Sequence, residues 1–125
     1  MSAKILIVDD SSLTRRTLRS LAESMGYTTE DAADGAQALE RFFIGKPDVV
    51  LLDIVMNGMY GPEVLGKLRE LDPAARVIIC TSDIQKSTAE QMKAEGAKGI
   101  LNKPVNREQL AAALKIVLAG GTTWN

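Results

Sequence analysis

The chain of 125 residues contains no histidine. That removes imidazole acid–base catalysis, histidine-ligated zinc and any duty as a phosphohistidine carrier. Catalysis here would have to rest on carboxylates, lysine, hydroxyls or a metal. There is one cysteine, Cys80, so no disulfide can form within the chain, which fits a reducing compartment. Cys80 lies inside an apolar run and reads as a small buried hydrophobe. Neither sign of charge is in excess: 15 basic and 16 acidic residues leave −1, which points away from direct nucleic-acid binding and from anionic membranes. No apolar run approaches the ~18–20 residues that cross a bilayer, and no secretory signal opens the chain. The expectation is a cytoplasmic protein without membrane insertion. Repeats, linkers and low-complexity segments are missing too.

What is present is ordinary globular material, 46% apolar and 25% charged, of a length that suits one domain with a real core. Strand and helix patterns alternate five times. Strands are expected near 4–8, 27–31, 48–52, 76–80 and 99–102. Four are nearly continuous apolar runs, as when helices cover both faces of a sheet; the second is polar and belongs at an edge. Leu13, Leu18, Leu21, Ala22 and Met25 mark the first helix, which Gly26 stops. Asp34 and Gln37 have capping-box spacing at the second helix, with Leu39, Phe42 and Phe43 inward. Pro62 suits the first turn of the third, which ends before Asp72 and Pro73. Ser87 with Glu90 and Asn106 with Gln109 pair likewise at the fourth and fifth helices, the fourth ending at Gly96. Leu110, Ala113, Leu114, Val117 and Leu118 point inward from the fifth. Right-handed helical crossovers between parallel strands then give an α/β fold, a (βα)5 doubly wound parallel sheet. Only Gly120-Gly121-Thr122-Thr123 looks loose, and residues 120–125, after a domain over 1–119, read as a tail or the start of a linker.

Four short segments follow the apolar runs: Asp9 and Asp10, Asp53, Thr81 and Ser82, and Lys103 and Pro104. In such a sheet the carboxyl ends of the strands share one edge, where ligands bind. Each segment has an ordinary explanation as a helix cap, turn or solvated lysine. Together they make a site for Mg2+ and a phosphoryl group. Adjacent acids repel, and a hard cation with oxygen ligands accounts for both Asp9 and Asp10. The acids carry about −3, and a divalent cation with Lys103 about +3, which lets a partly buried cluster stay ionised. A cis Lys103–Pro104 bond would form a tight turn aiming the ammonium inward.

These residues are similar to the receiver domain of two-component response regulators over essentially the whole chain. The matching pieces are Val8-Asp9-Asp10, the stretch 51–61 around Asp53, Thr81 and Ser82, Gly96 to Gly99, and Lys103-Pro104. The resemblance implies a flavodoxin-like sheet of strand order 2-1-3-4-5 and a phosphorelay role. It makes Asp53 the phosphoacceptor. It puts Mg2+ on Asp10, Asp53 and the Val55 backbone carbonyl, with Asp9 acting through water. Lys103 and Thr81 contact phosphoryl oxygens, and Thr81 moves toward the phosphate as the switch. The resulting change reshapes the surface of helix four, strand five and helix five. The implied donor is a sensor histidine kinase or a phosphotransfer protein. The chain departs from the family at Ile100, where an aromatic reporter of the switch is common, and at Asn57 and Tyr60. Val55 and Asp83 hold positions tied in the family to phosphate lifetime.

Three other functions compete. An aspartyl-nucleophile phosphatase of the haloacid dehalogenase type wants a second Asp two residues after the nucleophile, where Val55 stands. A flavodoxin-like FMN binder wants a Gly/Ser/Thr phosphate loop where Asp9 and Asp10 would repel the ligand. No Gly-x4-Gly-Lys-Ser/Thr loop occurs either. A phosphorylation-independent receiver-like binding module is opposed by the intact Asp10, Asp53, Thr81 and Lys103. The reading is a signalling switch and not a turnover enzyme. It would act alone by docking to a downstream protein, or through a covalently linked output domain. Ala112, Ile116 and Ala119 lie opposite the core stripe of the fifth helix and suggest a docking or homodimer surface.

Overall fold

The computed structural model describes residues 3–54, 61–82 and 86–124, except the side chains of Lys86 and Ser87. Five strands, β1 (Lys4–Val8), β2 (Thr28–Ala32), β3 (Val49–Leu52), β4 (Val77–Thr81) and β5 (Gly99–Asn102), form one parallel sheet in the order β2-β1-β3-β4-β5. This is the expected flavodoxin-like order, with β2 at one edge and β5 at the other. β2 and β4 each begin one residue later than the apolar pattern suggests, and β3 starts at Val49 because Asp48 is used as a clasp. Its carboxylate accepts from the Lys4 amide at 2.8 Å and its own amide donates to the Lys4 carbonyl at 2.8 Å.

The continuous apolar runs serve two faces. Successive strand residues alternate sides. Leu6, Val8, Val50, Leu52, Val77 and Ile79 therefore join one core with Phe42, Leu65, Leu68 and Met92. Ile5, Ile7, Val49, Leu51, Ile78 and Cys80 join the other with Leu18, Leu110, Leu114 and Val117. Each fully buried side chain of this size contributes about 1.5–3 kcal/mol of transfer free energy.

The helices are α1 (Ser12–Ser24), α2 (Gly35–Gly45), α3 (Gly61–Leu71), α4 (Lys86–Ala94) and α5 (Arg107–Leu118). Asp34 caps α2 by accepting from the Gln37 amide at 2.8 Å, and Gln37 Oε1 accepts in return from the Ala33 amide, one residue before the cap. Asn106 caps α5 by accepting from the Gln109 amide at 2.7 Å. Gly26 leaves α1 at φ +92°, a conformation that costs a residue with a β-carbon dearly.

Four expectations are corrected. Phe43 is 69% exposed, because neighbouring helical residues turn by about 100° and Phe42 already takes the inward position. Leu13 is 68% exposed on α1 for a similar reason: Leu18 and Ala22 hold that helix's buried face. α4 already contains Ser87, so its N-cap lies before that residue, and the side chain expected to cap lies outside the description. The segment after α5 is not loose. The Thr123 amide donates to the Lys98 carbonyl at 2.8 Å, and Trp124 Nε1 donates to the Ala97 carbonyl at 2.7 Å.

Candidate functional site

β1 and β3 are neighbours with Val8 opposite Leu52, so Asp9 and Asp53 leave the sheet side by side. The Asp53 amide donates to the Val8 carbonyl at 2.9 Å and the Asp9 amide to the Ala32 carbonyl at 3.1 Å. Backbone bonds thus fix both residues before their side chains meet anything. Asp9 is 2% exposed and Asp53 7%, whereas Asp10 is open to solvent. One carboxylate oxygen from each of Asp9, Asp10 and Asp53 lies within 4.8 Å of the others. Asp9 Oδ1 accepts from the Ser11 amide at 2.9 Å, which turns the chain toward α1. Ser11 is the N-cap of α1, so neither acid of the pair fills that role.

Behind Asp53 the chain must approach α3 closely. A β-carbon on Gly61 would stand 2.3 Å from Ile54 Cα and 2.9 Å from the Asp53 carbonyl oxygen. Glycine is required there by space, and the Gly61 amide donates to the Ile54 carbonyl at 3.1 Å.

From the other side come β4 and β5. Thr81, 1% exposed, ends β4 opposite Asn102 of β5, and the Lys103 amide donates to the Thr81 carbonyl at 2.8 Å. Lys103 and Pro104 are joined by a cis peptide bond. The Lys103 ammonium donates to Asp9 Oδ2 and stands 3.3 Å from Asp53 Oδ2. Half-burial by itself would lower the lysine's pKa. The hydrogen bond to Asp9 and the charges of Asp53 and Asp9 outweigh it, so the pKa is raised. Cys80, one residue before Thr81, is fully buried. Burial is the main cause that pushes its thiol up to about 12, with Asp9 and Asp53 adding to it against Lys103.

The strand ends thus bring Asp9, Asp10, Asp53, Thr81 and Lys103 to one edge. Ser82 follows as an exposed residue. Ile100 is half-buried, pairs with Ile79 and packs on the core that contains Met92. Val55, Asn57, Tyr60 and Asp83 fall outside the described residues. The donor set suits a hard divalent cation: carboxylates clustered around one point, one of them solvent-facing so that water ligands fit. Ala112 and Ile116 on α5 and Ala119 at its C-cap are exposed, as their spacing suggests.

One supporting residue escaped sequence reasoning. Arg15 donates from Nη1 to the Asp9 carbonyl at 2.7 Å and from Nε to Asp31 Oδ2 at 3.2 Å. It ties the acidic turn to the end of β2. The only signal was a basic residue one turn into α1, and many solvent-facing residues share that description.

A family model for the response regulator receiver domain matches residues 5–115. The chain is 33% identical over 118 residues to "Chemotaxis protein CheY" of Halobacterium salinarum, covering 94% of this chain and 98% of that one. It is 37% identical over 115 residues to "Sporulation initiation phosphotransferase F" of Bacillus subtilis, covering 92% and 93%. Among solved structures, the CheY in a CheX–CheY–BeF3–Mg+2 complex from Borrelia burgdorferi is similar, with TM-score 0.87 and 31% identity over 92% of this chain and 89% of that chain. Among the described residues, no helix is long and apolar enough to cross a membrane.

Proposed function

The chain belongs to the response regulator receiver family of phosphorelay signal transduction, and from that premise we propose that Asp53 accepts a phosphoryl group from the phosphohistidine of a sensor kinase or phosphotransfer protein. The observation that carries this reading is the meeting of three carboxylates around one point beside a lysine ammonium that touches two of them.

An oxygen of the Asp53 carboxylate forms the new bond to phosphorus. The phosphorus–nitrogen bond of the donor breaks, and its electron pair leaves with the imidazole. Lys103 then turns its ammonium from Asp53 to a phosphoryl oxygen, where it balances charge that builds during transfer. The Thr81 hydroxyl donates to another oxygen. Asp10, Asp53 and the Val55 carbonyl would hold Mg2+, with Asp9 acting through water, and the ion would supply charge neutralisation for the attacking carboxylate and the phosphoryl oxygens. Arg15 holds the backbone of Asp9 in place throughout.

The protein is a switch: it performs chemistry only on itself. Contacts of Thr81 and Lys103 with the phosphoryl group change the face made by α4, β5 and α5, with Ile100 repacking, and a downstream protein reads that face. The exposed strip of Ala112, Ile116 and Ala119 supplies apolar area there for a partner or a second copy. The cytoplasm is where such a relay works, and the CheX complex of the Borrelia relative supports recognition by a protein partner.

Intact mass after incubation with Mg2+ and acetyl phosphate tests the reading. One added phosphoryl group, lost in Asp53→Asn and without Mg2+, supports it. A folded protein that gains nothing from acetyl phosphate and nothing from a phosphohistidine donor overturns it in favour of a binding module.

A further inference from the structure

Residues 120–124 cross from α5 to the opposite side of the sheet. Gly120 turns the chain at φ +95°, its amide donating to the Val117 carbonyl at 3.0 Å, and the Gly121 amide donates to the Ile116 carbonyl at 3.0 Å. Thr123 and Trp124 then hold the two residues just before β5, through the Lys98 and Ala97 carbonyls. The half-buried Trp124 ring packs on the core that contains Met92, Ala97 and Ile100. Ala97 is itself bonded to α4, its amide donating to the Met92 carbonyl at 2.9 Å.

The fit is close. A β-carbon on Gly99 would lie 2.0 Å from Thr123 Oγ1 and 3.2 Å from Thr123 Cβ. The first residue of β5 therefore lacks a side chain where Thr123 sits. At its other end β5 runs straight into Lys103, whose amide is bonded to Thr81 and whose ammonium is bonded to Asp9. β5 has four residues, so it is a rod of ~13 Å with the acidic site at one end and this strap at the other. The backbone bond from Thr123 to Lys98 and the Trp124 bond to Ala97 tie the seating of this strap to the position of the rod.

We propose that residues 121–124 form a strap on the α4–β5 junction whose seating opposes a phosphoryl group on Asp53. This rests on the receiver reading above. When Lys103 turns from Asp53 to a phosphoryl oxygen, β5 shifts, the Thr123–Gly99 fit loosens and Trp124 is released. Coupling is reciprocal, so removing the strap makes a phosphoryl mimic bind more tightly.

Trp124 is the single tryptophan, so its emission reports the strap alone. The probe is beryllofluoride with Mg2+, its binding followed by 19F NMR. Bound fluoride in the wild type, absent in Asp53→Asn, is expected together with a red shift of Trp124 emission and faster exchange of the Thr123 amide. Gly99→Ala is expected to show the red-shifted emission without beryllofluoride. Trp124→Ala, which removes the ring and its bond to Ala97 and leaves every strand residue in place, is expected to bind beryllofluoride about 5-fold more tightly, the lower end of ordinary coupling. Bound fluoride with unchanged emission and exchange, or equal affinity in Trp124→Ala, overturns the strap and leaves the receiver reading standing. No bound fluoride in the folded wild type overturns the strap, and the receiver reading falls with it when neither acetyl phosphate nor a phosphohistidine donor adds a phosphoryl group.

Discussion

Lys103 is hydrogen-bonded to Asp9, and Asp53 lies farther off, at 3.3 Å from the same ammonium. The lysine thus anchors to the more buried acid and leans on the one that would react. An anchor of this kind keeps the ammonium at the site while letting it exchange one oxygen partner for another.

Replacing Lys103 by methionine leaves Asp9 and Asp53 facing each other without their cation. The expected loss is about 3 kcal/mol, typical of removing one partner from a buried pair. Urea denaturation with and without Mg2+ measures it. Mg2+ should restore part of the loss, since it binds the folded acids and not the unfolded chain.

Alkaline pH should destabilise the fold through two groups. The raised pKa of Lys103 means that the folded chain holds this proton more tightly than the unfolded chain. That contribution is complete below the ordinary lysine value of 10.5 and is lost as pH rises through the higher folded value. Cys80 acts in the same direction: its thiol stays neutral to about 12 against 9.0 when unfolded, so stability falls across that interval. Urea midpoints measured at increasing pH should decline from pH 9 upward. In the folded protein near neutral pH, a thiol-disulfide reagent should leave Cys80 untouched until urea opens the core.

Adjacent phenylalanines should behave oppositely. Phe42, 7% exposed, packs in the core, and Phe42→Ala should cost about 3–5 kcal/mol. Phe43, at 69% exposure, should change stability by no more than about 0.5 kcal/mol when replaced by alanine. Thermal melts of the two variants decide it.

Ile116, 42% exposed, stands at the centre of the apolar strip on α5. Ile116→Glu should keep its melting behaviour, within about 0.5 kcal/mol, while weakening self-association or partner binding in analytical ultracentrifugation and pull-down. Unchanged association and binding would remove α5 as a docking face.

The sheet was legible because each of its inner strands writes its burial into four consecutive apolar residues; Asp9 and Asp53 were legible because each follows such a run, and Lys103 because it ends the shorter apolar stretch of β5. Edges blurred where a polar residue serves the backbone, as Asp48 does at the start of β3. Phe42 and Phe43 looked alike because hydropathy alone does not say which of two neighbours faces in. Arg15 and Trp124 were hidden for another reason. Their partners, the carbonyls of Asp9 and Ala97, are backbone atoms that every residue carries, so no side-chain pattern announces them.

The two outer strands differ in what they present to a stranger. β2 carries Glu30 paired with Lys4 at 2.9 Å and Asp31 paired with Arg15 at 3.2 Å. Any foreign strand that added itself there would have to strip water from these ion pairs and tolerate two acids along its length. That edge therefore resists the backbone-to-backbone pairing from which fibrils and amorphous precipitates grow, and a concentrated solution of the protein should stay clear on that account.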